Sequence, residues 1–173
     1  MSTPSVTIRP VHREDAADLQ ANCFSRNTLE EVQQQIESLL DDFARGQAMR
    51  LVAEVDGSVI GNADLIRETH RLKRHCAGWA GVVVCGPYQG HGIARALLTE
   101  TLPQAASWNI ELLTVGVRGG TPAEEVYRRL GFREYARLPG GLKEARDNQL
   151  FVFDEVMLYM PVTATASRPG PAH

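Results

Sequence analysis

Aromatic side chains make up only 6% of the 173 residues, too few for a base-stacking platform. No apolar run approaches the ~20 residues that span a bilayer, so no membrane segment is expected. Cysteine is scarce: Cys23, Cys76 and Cys85 are odd in number and show no Cys-x-x-Cys spacing. They read as reduced thiols, not as a disulfide framework or a zinc site. His70, His75 and Cys76 fall close together, but that spacing is a weak ligand set and reads as solvated polar residues on the surface, so no metal is assigned. Neither sign of charge dominates, and a net charge of -3 gives no reason to expect nucleic acid or an anionic membrane. The opening "MSTPSVTIRP" lacks a charged-then-apolar leader pattern, which sets the expectation of a cytoplasmic protein. Internal repeats and shifts of composition are also missing. One domain over residues 1–162 is expected, followed by a disordered tail over 163–173, "TATASRPGPAH".

What is present is a regular alternation of patterns. "VTIRPV" alternates as a strand, and "REDAADLQA" follows as a helix with acids in its first turn. Thr28 and Glu31 form a capping box ahead of Leu29, Val32, Ile36, Leu39, Leu40 and Phe43 at helical spacing. "MRLVAEVDGSVIGNADLI" reads as two strands joined at Asp56-Gly57, a hairpin signal. "AGWAGVVV" is a strand with an apolar run, and a helix from Gly90 buries Ala94, Leu97, Leu98, Thr101 and Ala105. Pro103 lies inside that pattern and should kink or end the helix. "IELLTVGV" is a strand, and "TPAE" a second capping box with Thr121 as N-cap and Glu124 reaching back. "FREYARL" and "FVFDEVMLYMPV" close the chain as strands, with a glycine- and charge-rich loop between them. The order implies a mixed α/β fold: a mostly antiparallel sheet, a β-α-β crossover and flanking helices.

The stretch "GPYQGHGIARALLTETL" places two glycines within three residues at the mouth of a helix. Amides at a helix N-terminus are unpaired and partly positive, so such a loop can cradle a phosphate. A P-loop is ruled out because no Gly-Lys-Ser/Thr triplet is present. The dinucleotide fingerprint fails too, since its sixth position would be Arg95 and Glu111 falls at the wrong end of the next strand.

"QGHGIA" fits Gln/Arg-x-x-Gly-x-Gly/Ala, and "AEEVYRRLGF" fits Ala-x-x-Leu/Val-Tyr-x-x-x-Gly-Phe. With the order of elements over residues 6–162, the chain resembles the GCN5-related N-acetyltransferases, the GNAT family. The resemblance implies that Val82, Val83 and Val84 offer their backbone to the pantetheine arm of acetyl-CoA. It implies that Gln89, Gly90, His91, Gly92, Ile93, Ala94 and Arg95 hold the pyrophosphate. Tyr127 matches the family's tyrosine near the cofactor sulfur, where a phenol can donate a proton to the departing thiolate. A backbone N–H of the valine strand would stabilise the oxyanion.

The attacking amine must be neutral, so a base is needed, directly or through water. Family members that acetylate ribosomal protein N-termini carry a glutamate on the fifth strand, and the matching residue here is Val115. Asp64, His75, Asp154 and Glu155 are the candidates. Asp64 stands out because an inward-facing acid in an apolar strand would be desolvated; the alternation leaves open which way it faces. No His–Asp arrangement supports Cys85 as a nucleophile. The family often has proline two residues after the last valine; this chain has Gly86 there and Pro87 next. Gly120 stands where an asparagine is common. The resemblance thus implies direct acetyl transfer from acetyl-CoA, without a metal, to a primary amine of a small molecule such as an amino acid, polyamine or toxin. A protein lysine or N-terminus is the alternative acceptor, and an acyl-CoA-binding sensor without turnover is the alternative of another class. A homodimer would be unsurprising.

Overall fold

Asp56 (φ 50) and Gly57 (φ 81) both lie in the left-handed region, as the tightest hairpin turn requires. They join strand β2 (Ala48–Val55) to β3 (Ser58–Arg67) with Val55 opposite Ser58. Around this hairpin the computed structural model, which describes residues 5–162, adds β1 (Val6–Pro10), α1 (Ala16–Asn22) and α2 (Leu29–Ala44) before it. After it come β4 (Cys76–Val84), α3 (Ile93–Ser107), β5 (Leu112–Arg118), α4 (Pro122–Leu130), β6 (Arg133–Arg146) and β7 (Gln149–Pro161). The seven strands form one sheet in the order β1-β2-β3-β4-β5-β7-β6. All neighbours are antiparallel except β4 and β5, which the α3 crossover makes parallel. The mixed α/β fold expected from the sequence is the one found. The expected tail lies outside the described residues.

Two cores sandwich the sheet. On one face Leu97 of α3 packs on Leu65, Trp79, Leu113 and Leu158 of the sheet, in a core that Leu130 of α4 joins. On the other Leu19 of α1 and Val32 and Ile36 of α2 pack on Val52 and Val59 of the sheet. The Thr28 capping box forms as expected: Glu31 N donates to Thr28 Oγ1 at 3.2 Å, and Thr28 N donates to Glu31 Oε2 at 2.8 Å. Among the described residues no helix is long and apolar enough to cross a membrane.

One of the two outcomes expected at Pro103 is excluded, and one other local expectation is corrected. Pro103 does not end α3, which continues to Ser107. Pro103 and the carbonyl-bearing residue four before it, Thr99, are both exposed, so the carbonyl that loses its partner meets water. Buried Leu97, Leu98, Thr101 and Ala105 hold the helix on both sides of the proline. The glycine- and charge-rich segment after Leu138 is not a loop. β6 runs on to Arg146 and turns at Asp147 and Asn148, both with positive φ, into β7. Register shifts between Glu134 and Ala136 and between Leu138 and Leu142 break its alternation, which hid it from a period-two reading.

Candidate active site

β4 pairs with β5 only from Cys76 to Gly78, opposite Leu112 to Thr114. Beyond Gly78 the two strands part, and the β5-facing edge of β4 has no strand beside it. A cavity of about 460 Å³ opens along that edge, between the start of α3 and the inner side of α4. Val82 and Val84 line it, with Gln89, Gly90, Gly92, Ile93, Ala94 and Arg95 from the loop and first turn of α3, and Tyr127 from α4. These are the sequence-expected residues, save Val83, His91 and Asp64. Val83 lies opposite Asn62 in the β3 pairing, and its side chain alternates to the other face. His91 has a ring nitrogen 2.9 Å from the Gln89 carbonyl and ties the loop instead.

The loop itself is an array of free donors. The first intrahelical bond of α3 runs from Ala96 N to Gly92 O at 3.0 Å, so the amides of Ile93, Ala94 and Arg95 have no intrahelical carbonyl. Gly90 and Gly92 take φ of 77° and 79°, a conformation that glycine adopts at no steric cost. No atom lies within 4 Å of where a Cβ would stand on either, so the space above them is open to a ligand. Gln89 Nε2 donates to the Val84 carbonyl at 2.9 Å and fastens the loop to the strand end. Arg95 hydrogen-bonds the Arg129 carbonyl at 3.0 Å, which joins α3 to α4 across the cavity mouth.

Tyr127 stands edge-on to Trp79 and Phe132, with ring centroids 6.0 and 5.9 Å away. Burial pushes its phenol above the ordinary tyrosine value, so it is a proton donor throughout the neutral range. α4 is placed by a different cap from the one expected. Thr121 Oγ1 donates to the Arg118 carbonyl at 2.7 Å, and the Glu124 carboxylate accepts from Gly120 N at 2.8 Å. Glu124 also pairs with Arg128 and Arg137, and Glu134, held down to about 2 by Arg137 and then Arg128, links the helix to β6.

The candidate bases are dispersed. Asp64 faces inward and is 7% exposed, but it is not a lone acid. Arg50 Nε and Nη2 donate to its two oxygens at 2.7 and 2.8 Å, and Phe24 covers the guanidinium at 4.8 Å. A buried ion pair thus replaces the free base expected at this position. His75 precedes β4, and Val84 lies nine positions on, roughly 30 Å along the strand. Asp154 is tied to Arg137 and Gly140 N. Burial pushes the Cys23 thiol up to about 11, which makes it a poor nucleophile.

Arg50, Tyr88, Pro122, Val126 and Arg129 were not singled out from the sequence. Arg50 had one signal, its place opposite Asp64 across the Asp56-Gly57 hairpin.

The sequence matches the acetyltransferase (GNAT) family over residues 13–132, and the chain belongs to that family. No curated protein matches it. Solved structures share the fold. A structure of yncA from Salmonella typhimurium with its cofactor acetyl-CoA is 18% identical; the alignment covers 96% of this chain and 99% of that one, with a TM-score of 0.76. A ribosomal-protein-alanine N-acetyltransferase from Brucella melitensis is 24% identical over 90% of this chain and 99% of its own, with a TM-score of 0.75. A spermidine N-acetyltransferase SpeG chimera from Vibrio cholerae and hSSAT is 20% identical over 91% and 95%, with a TM-score of 0.71.

Proposed function

We propose that the protein transfers the acetyl group of acetyl-CoA to a primary amine of a small molecule. The observation that carries this reading is one cavity that joins the free loop amides, the unpaired edge of β4 and the Tyr127 phenol. Each fits one part of acetyl-CoA: donors for the pyrophosphate, a strand edge for the pantetheine amides and a proton donor for the sulfur. Acetyl-CoA supplies the acyl group as a thioester. The loop binds its phosphates, and β4 backbone N–H groups donate to the carbonyl oxygen. The amine nitrogen bonds to the carbonyl carbon as the C–S bond breaks, the Tyr127 hydroxyl protonates the departing sulfur, and the proton lost by the amine passes to water, from which the phenol is restored.

Two features favour a small acceptor. Val115, where a glutamate base would stand for ribosomal protein N-termini, is apolar and buried. By family resemblance the acceptor would lie between the turn joining α1 to α2 and the β6–β7 hairpin, and there Arg26 reaches Glu144 on β6 at 3.8 Å, a contact that narrows the space for a peptide. No side chain is assigned as the base.

Acetyl-CoA at 100 times its dissociation constant is expected to stabilise the fold by about 2.7 kcal/mol, a rise of roughly 5–10 °C in Tm. NADH, as control, should produce no rise. A flat response to acetyl-CoA would sink this reading, and thiol release with peptides but not small amines would transfer it to a protein acceptor.

Gly92→Asp should weaken acetyl-CoA binding by about tenfold or more, because it adds a negative charge at the open face of the loop, beside the phosphates. Isothermal titration checks this, and wild-type affinity in the variant would remove the loop from the binding site.

A further inference from the structure

β4 slips register against β3 at one point, and buried polar side chains gather behind it. Asn62 lies opposite Val83 while Asp64 lies opposite Ala80, so Ala63 alone faces both Gly81 and Val82. Gly81 has φ +57°, the left-handed residue of a glycine-type bulge. Asn62 is fully buried, and its Nδ2 donates to the Gly81 carbonyl at 2.8 Å. A Cβ on Gly81 would stand 3.4 Å from Asp64 Oδ2 and 3.7 Å from Asn62 Nδ2, so both side chains rest against the bulge. Arg50 holds Asp64 from behind.

This arrangement carries a cost. Asn62 Oδ1 and Arg50 Nη1 are buried without a protein partner among the described residues, and the desolvation loss at Asn62 is one that a leucine, branched at the same carbon, would avoid. Packing gives no reason for an amide there, whereas the geometry of the bulge does. The Gly81 C=O and the Val82 N–H belong to one planar trans peptide unit, in which they point in opposite directions. Pinning the carbonyl to Asn62 therefore turns the Val82 N–H away from β3, toward the side where β5 has parted from β4. Val82 lines the cavity there.

We infer that Asn62 is a positioning residue for acyl transfer: through the Gly81 carbonyl it aims the Val82 N–H at the oxygen of the thioester carbonyl. The inference rests on the acetyl-CoA reading above. Asn62 touches neither substrate, and Asp64 with Arg50 supports it by keeping the bulge from relaxing.

The test uses the full chain and acetyl-CoA labelled with carbon-13 at the acetyl carbonyl, and so needs no acceptor. A hydrogen bond to the carbonyl oxygen moves that resonance downfield on binding to the wild-type protein. Asn62→Leu is expected to bind acetyl-CoA within about threefold of wild type, yet to lose most of the downfield displacement. Once an acceptor is found, its kcat should fall by at least about tenfold with KM for acetyl-CoA little changed. A wild-type carbonyl shift in bound Asn62→Leu would overturn the inference. Should that variant fail to fold, Gly81→Ala, which strains the same peptide from the other side, is read in its place with the same two outcomes. If wild-type protein binds no acetyl-CoA, the acyl-transfer reading falls and this inference falls with it. If it binds and the Asn62 variant keeps the shift, only the inference falls.

Discussion

Tyr127→Phe is expected to lower turnover about 100-fold while leaving the acetyl-CoA dissociation constant within about twofold. The substitution removes the hydroxyl and leaves the ring, whose edge-on packing against Trp79 and Phe132 fixes the position of the side chain. The hydroxyl has no hydrogen-bond partner among the described residues, so its loss leaves no protein group unsatisfied. An effect confined to kcat therefore reports proton donation. Equal losses in affinity and turnover would mean that the ring positions the cofactor instead. The pH profile gives a second check. Burial raises the phenol above its ordinary value, so its protonated form persists to higher pH than in a free tyrosine. Any alkaline decline due to this group must then lie above about pH 10, and a decline near neutrality would belong to another group.

Asp64→Ala is expected to destabilise the fold by about 3–5 kcal/mol, because it leaves Arg50 charged and buried without its carboxylate. Arg50 and Asp64 are 5% and 7% exposed, so solvent screens the loss little. Loss of a surface ion pair would cost no more than about 1 kcal/mol, and urea unfolding distinguishes the two cases. The double substitution Arg50→Met with Asp64→Leu should recover most of the lost stability, since an apolar pair avoids both desolvation costs. A small effect of Asp64→Ala would show that water reaches the pair, and the supporting role given to it beneath the β4 bulge would be lost.

The parts of this protein that local chemistry specifies were legible in the residues. Thr28 with Glu31, Asp56-Gly57 and the helical stripe of α3 each act over a few positions, so their patterns survive in sequence. The glycine loop was legible for the same reason: amides at a helix start and left-handed glycines are local properties, and the cavity indeed forms above Gly90 and Gly92. The β6–β7 hairpin was half missed because bulges near Ala136 and Gly140 break its period, and pairing with β7 restores what alternation does not show. The Thr121 cap was misassigned in detail, since Arg118 O and Gly120 N compete for the same side chains.

By itself, then, the sequence determined the order of elements, the glycine loop at the start of α3 and the tyrosine on α4, which lines the same cavity, because each follows from spacing within one segment. Only the tertiary structure decided what Asp64 does. Its meaning depends on Arg50 across the hairpin, on Phe24 from the turn after α1, and on Gly81 in the next strand. A carboxylate becomes a base or half of an ion pair according to its neighbours in space, and those neighbours come from three separate stretches of chain. The parting of β4 from β5 is likewise a property of the sheet. No residue encodes it alone, since it arises where the parallel pairing ends at Gly78 and the bulge at Gly81 turns the strand edge toward the cavity.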